Sequence, residues 1–160
     1  MANDVNVSSV DILKGYNSKI KVFNTSINTI LFAFRRKIEN IIAEKKSNLI
    51  NDEKYFRKIE ERLNNKIGKI EEIISRNNWE GRSLALIQGE LERYRSMRQN
   101  LNSLMAAVKQ DYNTLILQLD QLLQTSTTFA QDNKTLLDSN IARMDNVINH
   151  IDNYKSNNIK

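Results

Sequence analysis

Apolar residues recur every seven positions along most of this chain, and that spacing limits the folds open to it. The first row is Leu13, Ile20, Ile27, Phe34 and Ile41, and a second row beside it is Tyr16, Phe23 and Ile30. Rows separated by three and four residues lie on one face of a helix. The 160 residues include no proline, which would interrupt a helix by removing a hydrogen-bond donor. The sequence therefore predicts an all-α fold of long, coiled-coil-like helices.

The first helical arm is predicted over about 9–76. Its heptad register slips by one residue between Ile41 and Ile42, after which the row is Ile42, Leu49, Phe56, Leu63 and Ile70. Polar residues around this row leave two interpretations open. We favour one long helix, and the alternative is two helices that meet near Asn48–Asp52.

A turn is predicted over about 77–82, because two asparagines and Gly81 are clustered there. The second arm, about 83–125, again carries heptads and should pack antiparallel on the first arm. The polar, β-branched segment 125–128 is expected to end it, and a shorter C-terminal helix is predicted over about 133–154, capped by Asp132 or Asn133. The predicted fold is one domain over 1–160, a long antiparallel helical hairpin with a shorter third helix.

Composition excludes several kinds of chemistry. The chain has no cysteine and a single histidine, His150, so it lacks thiolate nucleophiles and cannot build a cysteine or histidine-rich metal site. Its four glycines stand apart and form no phosphate-binding loop. We therefore expect a protein that is not an enzyme, with no cofactor, no metal and no small-molecule substrate.

The charge pattern also narrows the choice of partner. The net charge is +5, but acidic and basic residues alternate along the helices, whereas nucleic-acid binders usually carry a stripe of one sign. The segment Arg35-Arg36-Lys37 is the one candidate contact for an anionic surface, and a nucleic-acid partner is not expected. The N-terminus has no signal-peptide pattern and no segment is apolar enough to span a membrane. We expect a location in the bacterial cytoplasm, with export that needs no cleaved signal as the alternative.

One motif in the predicted turn points to a role. Trp79 and Gly81 are followed by the small residue Ser83 and by the apolar Ile87. This spacing resembles that of the WXG and LXG helical-hairpin proteins of type VII (ESX-like) bacterial secretion, over roughly positions 77–122. The resemblance implies a hairpin whose tip holds the tryptophan and glycine, and which pairs with a second helical protein in a four-helix bundle.

The chain departs from that family in two respects. Its first arm is nearly twice the expected length. The family's C-terminal export signal, a tyrosine followed four residues later by an acid, is missing, since Tyr154 is followed by Asn158. A partner would then have to supply the signal, as for a toxin arm or a targeting chaperone.

Two functions follow as expectations. The first is a non-enzymatic binding module, a secretion-associated partner or targeting chaperone for a bacterial toxin or effector. The alternative is a self-associating, structural coiled-coil subunit of an unrelated system. The partner is another helical protein or a second copy of the chain. The residues expected to bind it are Trp79, Gly81, Leu84, Ile87, Phe23, Phe34 and Phe56.

Overall fold

Two long helices make up the fold. The structure, a computed structural model, describes the backbone of residues 2–158 and the side chains of residues 9–158. Helix α1 is Ala2–Arg76 and helix α2 is Gly81–Asn158, and they pack against each other in antiparallel directions. No strand occurs within this described part of the chain. The predicted all-α helical hairpin is confirmed.

Helix α1 is continuous through the segment where a break was the alternative. Residues 48–52 are helical, and the single long helix is the arrangement found. The helix also begins at Ala2, seven residues before the predicted start.

The predicted separate C-terminal helix is wrong, because α2 runs without interruption through residues 125–133. Polar residues of this segment bond to the preceding turn of the same helix and do not end it. The hydroxyl of Thr125 donates to the Gln121 carbonyl at 2.9 Å, and that of Thr127 to the Leu123 carbonyl at 2.8 Å. The Asn133 amide likewise donates to the Phe129 carbonyl at 2.7 Å, where a helix cap was expected. Such bonds let serine, threonine and asparagine sit within a helix.

The turn occupies residues 77–80, within the segment where it was predicted. The backbone N–H of Trp79 donates to the Asn77 carbonyl at 2.9 Å, and the indole N–H donates to the Ile73 carbonyl at 3.1 Å. The indole thus satisfies a carbonyl that the end of α1 leaves without a helical partner. Gly81 then has a φ of 58°, a conformation that other residues adopt at a cost, and α2 begins there.

Contacts between the helices divide the chain into two compact units. We call residues 1–39 with 121–160 the terminal unit, and residues 40–120 the turn unit. The boundary in α1 falls beside the predicted register slip at Ile41 and Ile42.

The seam of the turn unit, meaning the row of side chains between its two helices, is mostly apolar. Its α1 side follows the predicted row: Ile42 is buried and the other members are half-buried. Ile67 of α1 and Leu91 of α2 are also buried. Heptad residues of α2 such as Leu84, Tyr94 and Leu101 are half-buried here as well, but Leu115 is exposed.

The seam of the terminal unit has a different phase from the one predicted. Its α1 row is Val10, Asn17, Asn24, Leu31 and Ile38, joined by Leu13, Ile20 and Ile27. The second predicted row, Tyr16, Phe23 and Ile30, is exposed beside the seam, and so is Phe34. The row of α1 residues that faces α2 therefore changes before Phe34, earlier than the predicted register slip between Ile41 and Ile42. Polar pairing explains the choice of row, because the asparagines at 17 and 24 bond to carboxylates of α2.

Candidate interaction surface

One flank of the terminal unit is ionic. Lys14 of α1 pairs with Asp152 of α2 at 2.9 Å, and Lys21 pairs with Asp145 at 3.2 Å. Each of these lysines stands four residues after a member of the seam row, and each aspartate four residues after a seam residue of α2. Such residues lie about 40° to one side of that row, because each helical residue turns by about 100°. We call this side the ionic flank.

The opposite flank is apolar on both helices. Tyr16, Phe23 and Ile30 each come one residue before the seam row, which places them about 100° to the other side. In α2, Val147 comes one residue before the buried Ile148 and follows the same rule. The apolar flank comprises Tyr16, Phe23, Ile30 and Phe34 of α1 with Leu122, Phe129, Leu136, Val147 and Tyr154 of α2.

These nine side chains are between 42% and 72% exposed. Single exposed apolar residues are ordinary on protein surfaces, whereas a contiguous patch of them is unusual and marks a contact site. Here the residues follow spacings of four, seven and eleven, which keep them on one face of each helix. Both helices therefore contribute a row of exposed apolar residues to the same side of the terminal unit.

The seam beneath this patch contains buried polar residues among its apolar ones. Asn17 is only 3% exposed, and its amide donates to Asp145 at 2.6 Å while its own carbonyl oxygen is buried without a partner. Asn24 donates to Asp138 at 3.1 Å, and Ser126 is buried within α2. Buried amides stabilise a helix pair less than aliphatic residues do, but they fix its register. In this unit, Asn17 and Ser126 are buried together with the apolar Val10, Ile38 and Ile148, while the nine apolar side chains of the flank are exposed.

The turn unit holds its polar contacts at the edge of an apolar seam. Lys109 pairs with Glu53 at 2.8 Å, and its hydrogen bond and charge lower the pKa of that carboxyl. Arg95 pairs with Glu71 at 2.8 Å and with Glu92, and hydrogen bonds to both carboxylates raise the pKa of the guanidinium.

A second edge contact joins a tyrosine to an acid. The Tyr112 hydroxyl donates to Asp52 at 3.1 Å, and this hydrogen bond raises the pKa of the phenol. These contacts link α1 to α2 along the edge of the turn unit.

The structure separates the residues that the sequence singled out for partner binding. Phe23 and Phe34 lie on the apolar flank of the terminal unit, exposed. Leu84, Ile87 and Phe56 are half-buried in the seam of the turn unit, where they pack between the helices. The turn itself holds the half-buried Trp79 and the exposed Gly81.

Sequence reasoning missed the α2 half of the apolar flank. Phe129, Leu136, Val147 and Tyr154 received no role, although each immediately precedes a position that turns out to lie in the seam. Reading 121–158 as one uninterrupted helix would have revealed them, because the spacings of seven and eleven then place all of them on one face. The predicted break at 125–133 concealed that regularity.

Comparisons with protein-family models, with curated proteins and with solved structures give no match. Neither helix, over the residues described, has an apolar stretch long enough to cross a membrane.

Proposed function

We propose that this chain is a non-enzymatic binding module that works by docking other helices onto the apolar flank of its terminal unit. The observation that carries the proposal is the exposed apolar flank, to which both helices of the unit contribute matching rows. Docked helices would remove the nine side chains from water, which is the main favourable term in most protein association. The unit would then gain a second apolar layer beside the seam that holds Val10, Ile38 and Ile148.

A matched pair of substitutions tests this proposal. Phe23 and Phe32 are both exposed, at 57% and 68%, but only Phe23 lies on the apolar flank. Phe32 follows Leu31 of the seam row directly, which places it on the other side of the helix. We expect Phe23→Gln to weaken self- or partner association about tenfold or more, because losing a buried aromatic contact costs on the order of 2 kcal/mol.

Phe32→Gln should leave association unchanged, as measured by sedimentation velocity over a range of concentrations. Circular dichroism checks that both variants keep the helical content of the parent chain. Equal effects of the two substitutions, or none from Phe23→Gln, would contradict a docking role for the apolar flank.

The more specific proposal is a secretion-associated partner or targeting chaperone for a bacterial toxin or effector. It is supported by the resemblance of Trp79, Gly81, Ser83 and Ile87 to the WXG and LXG proteins, and by the position of Trp79 in the turn. The indole is half-buried, so part of the ring is open to a partner while its N–H holds the Ile73 carbonyl.

Capture experiments in a bacterium with a type VII apparatus test this role. The tagged chain should retain a helical LXG-type toxin arm, Trp79→Ala should lose it, and Leu86→Ala should retain it. Leu86 is the control because it is exposed in the same unit outside the motif. Capture of the same toxin arm by all three chains, or by none, would contradict the secretion role and leave the apolar flank untouched by the result.

The alternative function is a self-associating structural subunit. The specific observation in its favour is that the apolar flank is centred at one level on both helices.

A further inference from the structure

We infer that the occupant of the apolar flank is a second copy of this chain, bound in the opposite direction about a two-fold axis level with Ser26 and Ser139. This inference rests on the proposed docking function and names the partner. The first observation in its favour is the order of residues along the apolar flank of each helix.

The apolar residues of α2 are placed symmetrically. Leu122 and Tyr154 lie equally far from position 138, and so do Phe129 and Val147. On α1, Tyr16 and Phe34 lie equally far from position 25. The ends of each row therefore exchange places when the helix is reversed about its centre, whereas Phe23, Ile30 and Leu136 have no exact counterpart.

The two centres stand at the same level of the terminal unit. Asp145 accepts hydrogen bonds from both Asn17 and Lys21, so it is level with the residues between them. Asn24 bonds to Asp138, which places position 138 beside positions 24–28 of the antiparallel helix. One axis perpendicular to the helices therefore reverses both rows at once.

The charged residues beside the apolar flank fit the same axis. Asp132 and Arg143 are exposed, and neither has an ion-pair partner among the described residues. Their midpoint is also close to position 138, so reversal brings Asp132 of one copy opposite Arg143 of the other, twice per dimer. Opposite charges across an interface favour one orientation over others.

The parallel arrangement of two copies is disfavoured by charge. Arg143 is level with Lys21 and close to the level of Lys19, given the contacts of Asp145. With the copies in the same direction, α1 of one would face α2 of the other at equal height. Lys19 would then stand opposite Arg143, a like-charge contact on both sides of the dimer.

The exposed area of the apolar flank is sufficient for a stable dimer interface. Nine large side chains that are half exposed present roughly 1,000 Å² per copy, taking about 150–250 Å² for each aromatic residue. Stable interfaces bury about 800 Å² per partner. The flank therefore matches the requirement without help from the turn unit.

Disulfide trapping tests the partner and its direction together. The chain has no cysteine, so Ser26→Cys and Ser139→Cys each introduce a single thiol on an exposed position beside the flank. Each variant is oxidised alone, and an equimolar mixture carries tags of different size. Ser18→Cys, exposed on the other side of α1, is the control for random collision.

The antiparallel dimer predicts that each single variant forms a covalent dimer with itself, because both positions lie near the axis. The mixture should then give little of the mixed species. A mixed species without self-crosslinked dimers would establish the parallel arrangement and overturn the inference. Crosslinking no better than that of Ser18→Cys would overturn it too, while a loss of association in Phe23→Gln would still support docking of another helical protein.

Charge exchange gives an independent test. Asp132→Arg should raise the dimer dissociation constant about tenfold, since it replaces two attractions by two repulsions, each worth up to about 1 kcal/mol at the surface. The double variant Asp132→Arg/Arg143→Asp should return it to near the parent value. A double variant weaker than either single one would contradict the reciprocal contact.

Discussion

The terminal unit and the turn unit use the same two helices in opposite ways. In the turn unit the seam is largely aliphatic and aromatic, and charged pairs such as Glu53–Lys109 lie at its edge. In the terminal unit Asn17 and Ser126 are buried, while Phe23, Phe129 and Tyr154 are exposed. Both units bury apolar residues, and the terminal unit differs in also burying Asn17 and Ser126 and in exposing apolar rows on both of its helices.

The two units differ in which apolar residues are buried more than in how many apolar residues they contain. Burial therefore distinguishes a structural seam from a binding surface. Both units carry heptads, and both expose some large apolar residues. Only in the terminal unit do those residues form unbroken rows on both helices with polar groups in the seam between them. A heptad row that the helix pair leaves exposed is available to a further helix.

The largest expected effect comes from a substitution in the turn unit. Ile67 is 4% exposed and packs in the apolar seam. We expect Ile67→Ala to lower the free energy of unfolding by about 2–4 kcal/mol, through lost burial and the cavity left behind. Urea denaturation followed by circular dichroism measures this, with the exposed Ile50→Ala as the control. A loss no greater than that of Ile50→Ala would show that the turn unit does not hold the stabilising core.

In the terminal unit, replacing the buried Asn17 should have the opposite effect on the free energy of unfolding. Asn17 has an unpartnered buried carbonyl oxygen, so Asn17→Leu should raise the free energy of unfolding by about 1 kcal/mol. Asp145 keeps its contact with Lys21 in this variant. The measurement is the thermal midpoint. A decrease like that of Ile67→Ala would remove the distinction between the two seams.

Two glycines test the local account of the turn. Gly81 has a φ of 58° and begins α2, so Gly81→Ala should destabilise the chain by about 1 kcal/mol even though the space around it is open. Gly89 lies inside α2 with equally open surroundings, and Gly89→Ala should stabilise by up to about 1 kcal/mol. Thermal melts of both variants make the comparison. Equal shifts of the same sign would contradict it.

The smallest effect concerns the edge of the turn unit. Because Lys109 lowers the pKa of Glu53, their contact stabilises the fold above the ordinary carboxyl pKa and is lost as the pH falls through the lowered value. Lys109→Met should therefore reduce the thermal midpoint at pH 7, and this reduction should shrink as the pH falls below the ordinary carboxyl range. Lys69→Met is the control, since this exposed lysine forms no ion pair among the described residues. A reduction that does not shrink with falling pH would point to lost packing of the side chain.

The sequence was sufficient to predict the helical hairpin and the position of its turn. Heptads, the absence of proline and the cluster around Asn77 and Gly81 each have a direct physical consequence for a helix. It was not sufficient to choose the seam, because three adjacent rows of α1 could face α2. The choice depends on contacts between residues more than 100 positions apart, such as Asn17 with Asp145.

The third helix was predicted wrongly for a related reason. Threonine and serine at 125–128 have low helix propensity, and a local argument gives them the role of a break. In the structure they bond to the preceding turn, and half-buried Leu123 and Ala130 on either side keep α2 packed on α1. Packing along the whole helix outweighs a local preference of this size.

Amide hydrogen exchange at low and high protein concentration is the decisive test of docking at the apolar flank, because it reports on both units in one experiment. If the terminal unit docks a further helix pair through its apolar flank, exchange should slow with concentration over residues 10–38 and 122–154. Exchange over residues 42–119 should stay the same, and Phe23→Gln should abolish the concentration dependence. Slowing confined to the turn unit, or equal in both units, would contradict the account.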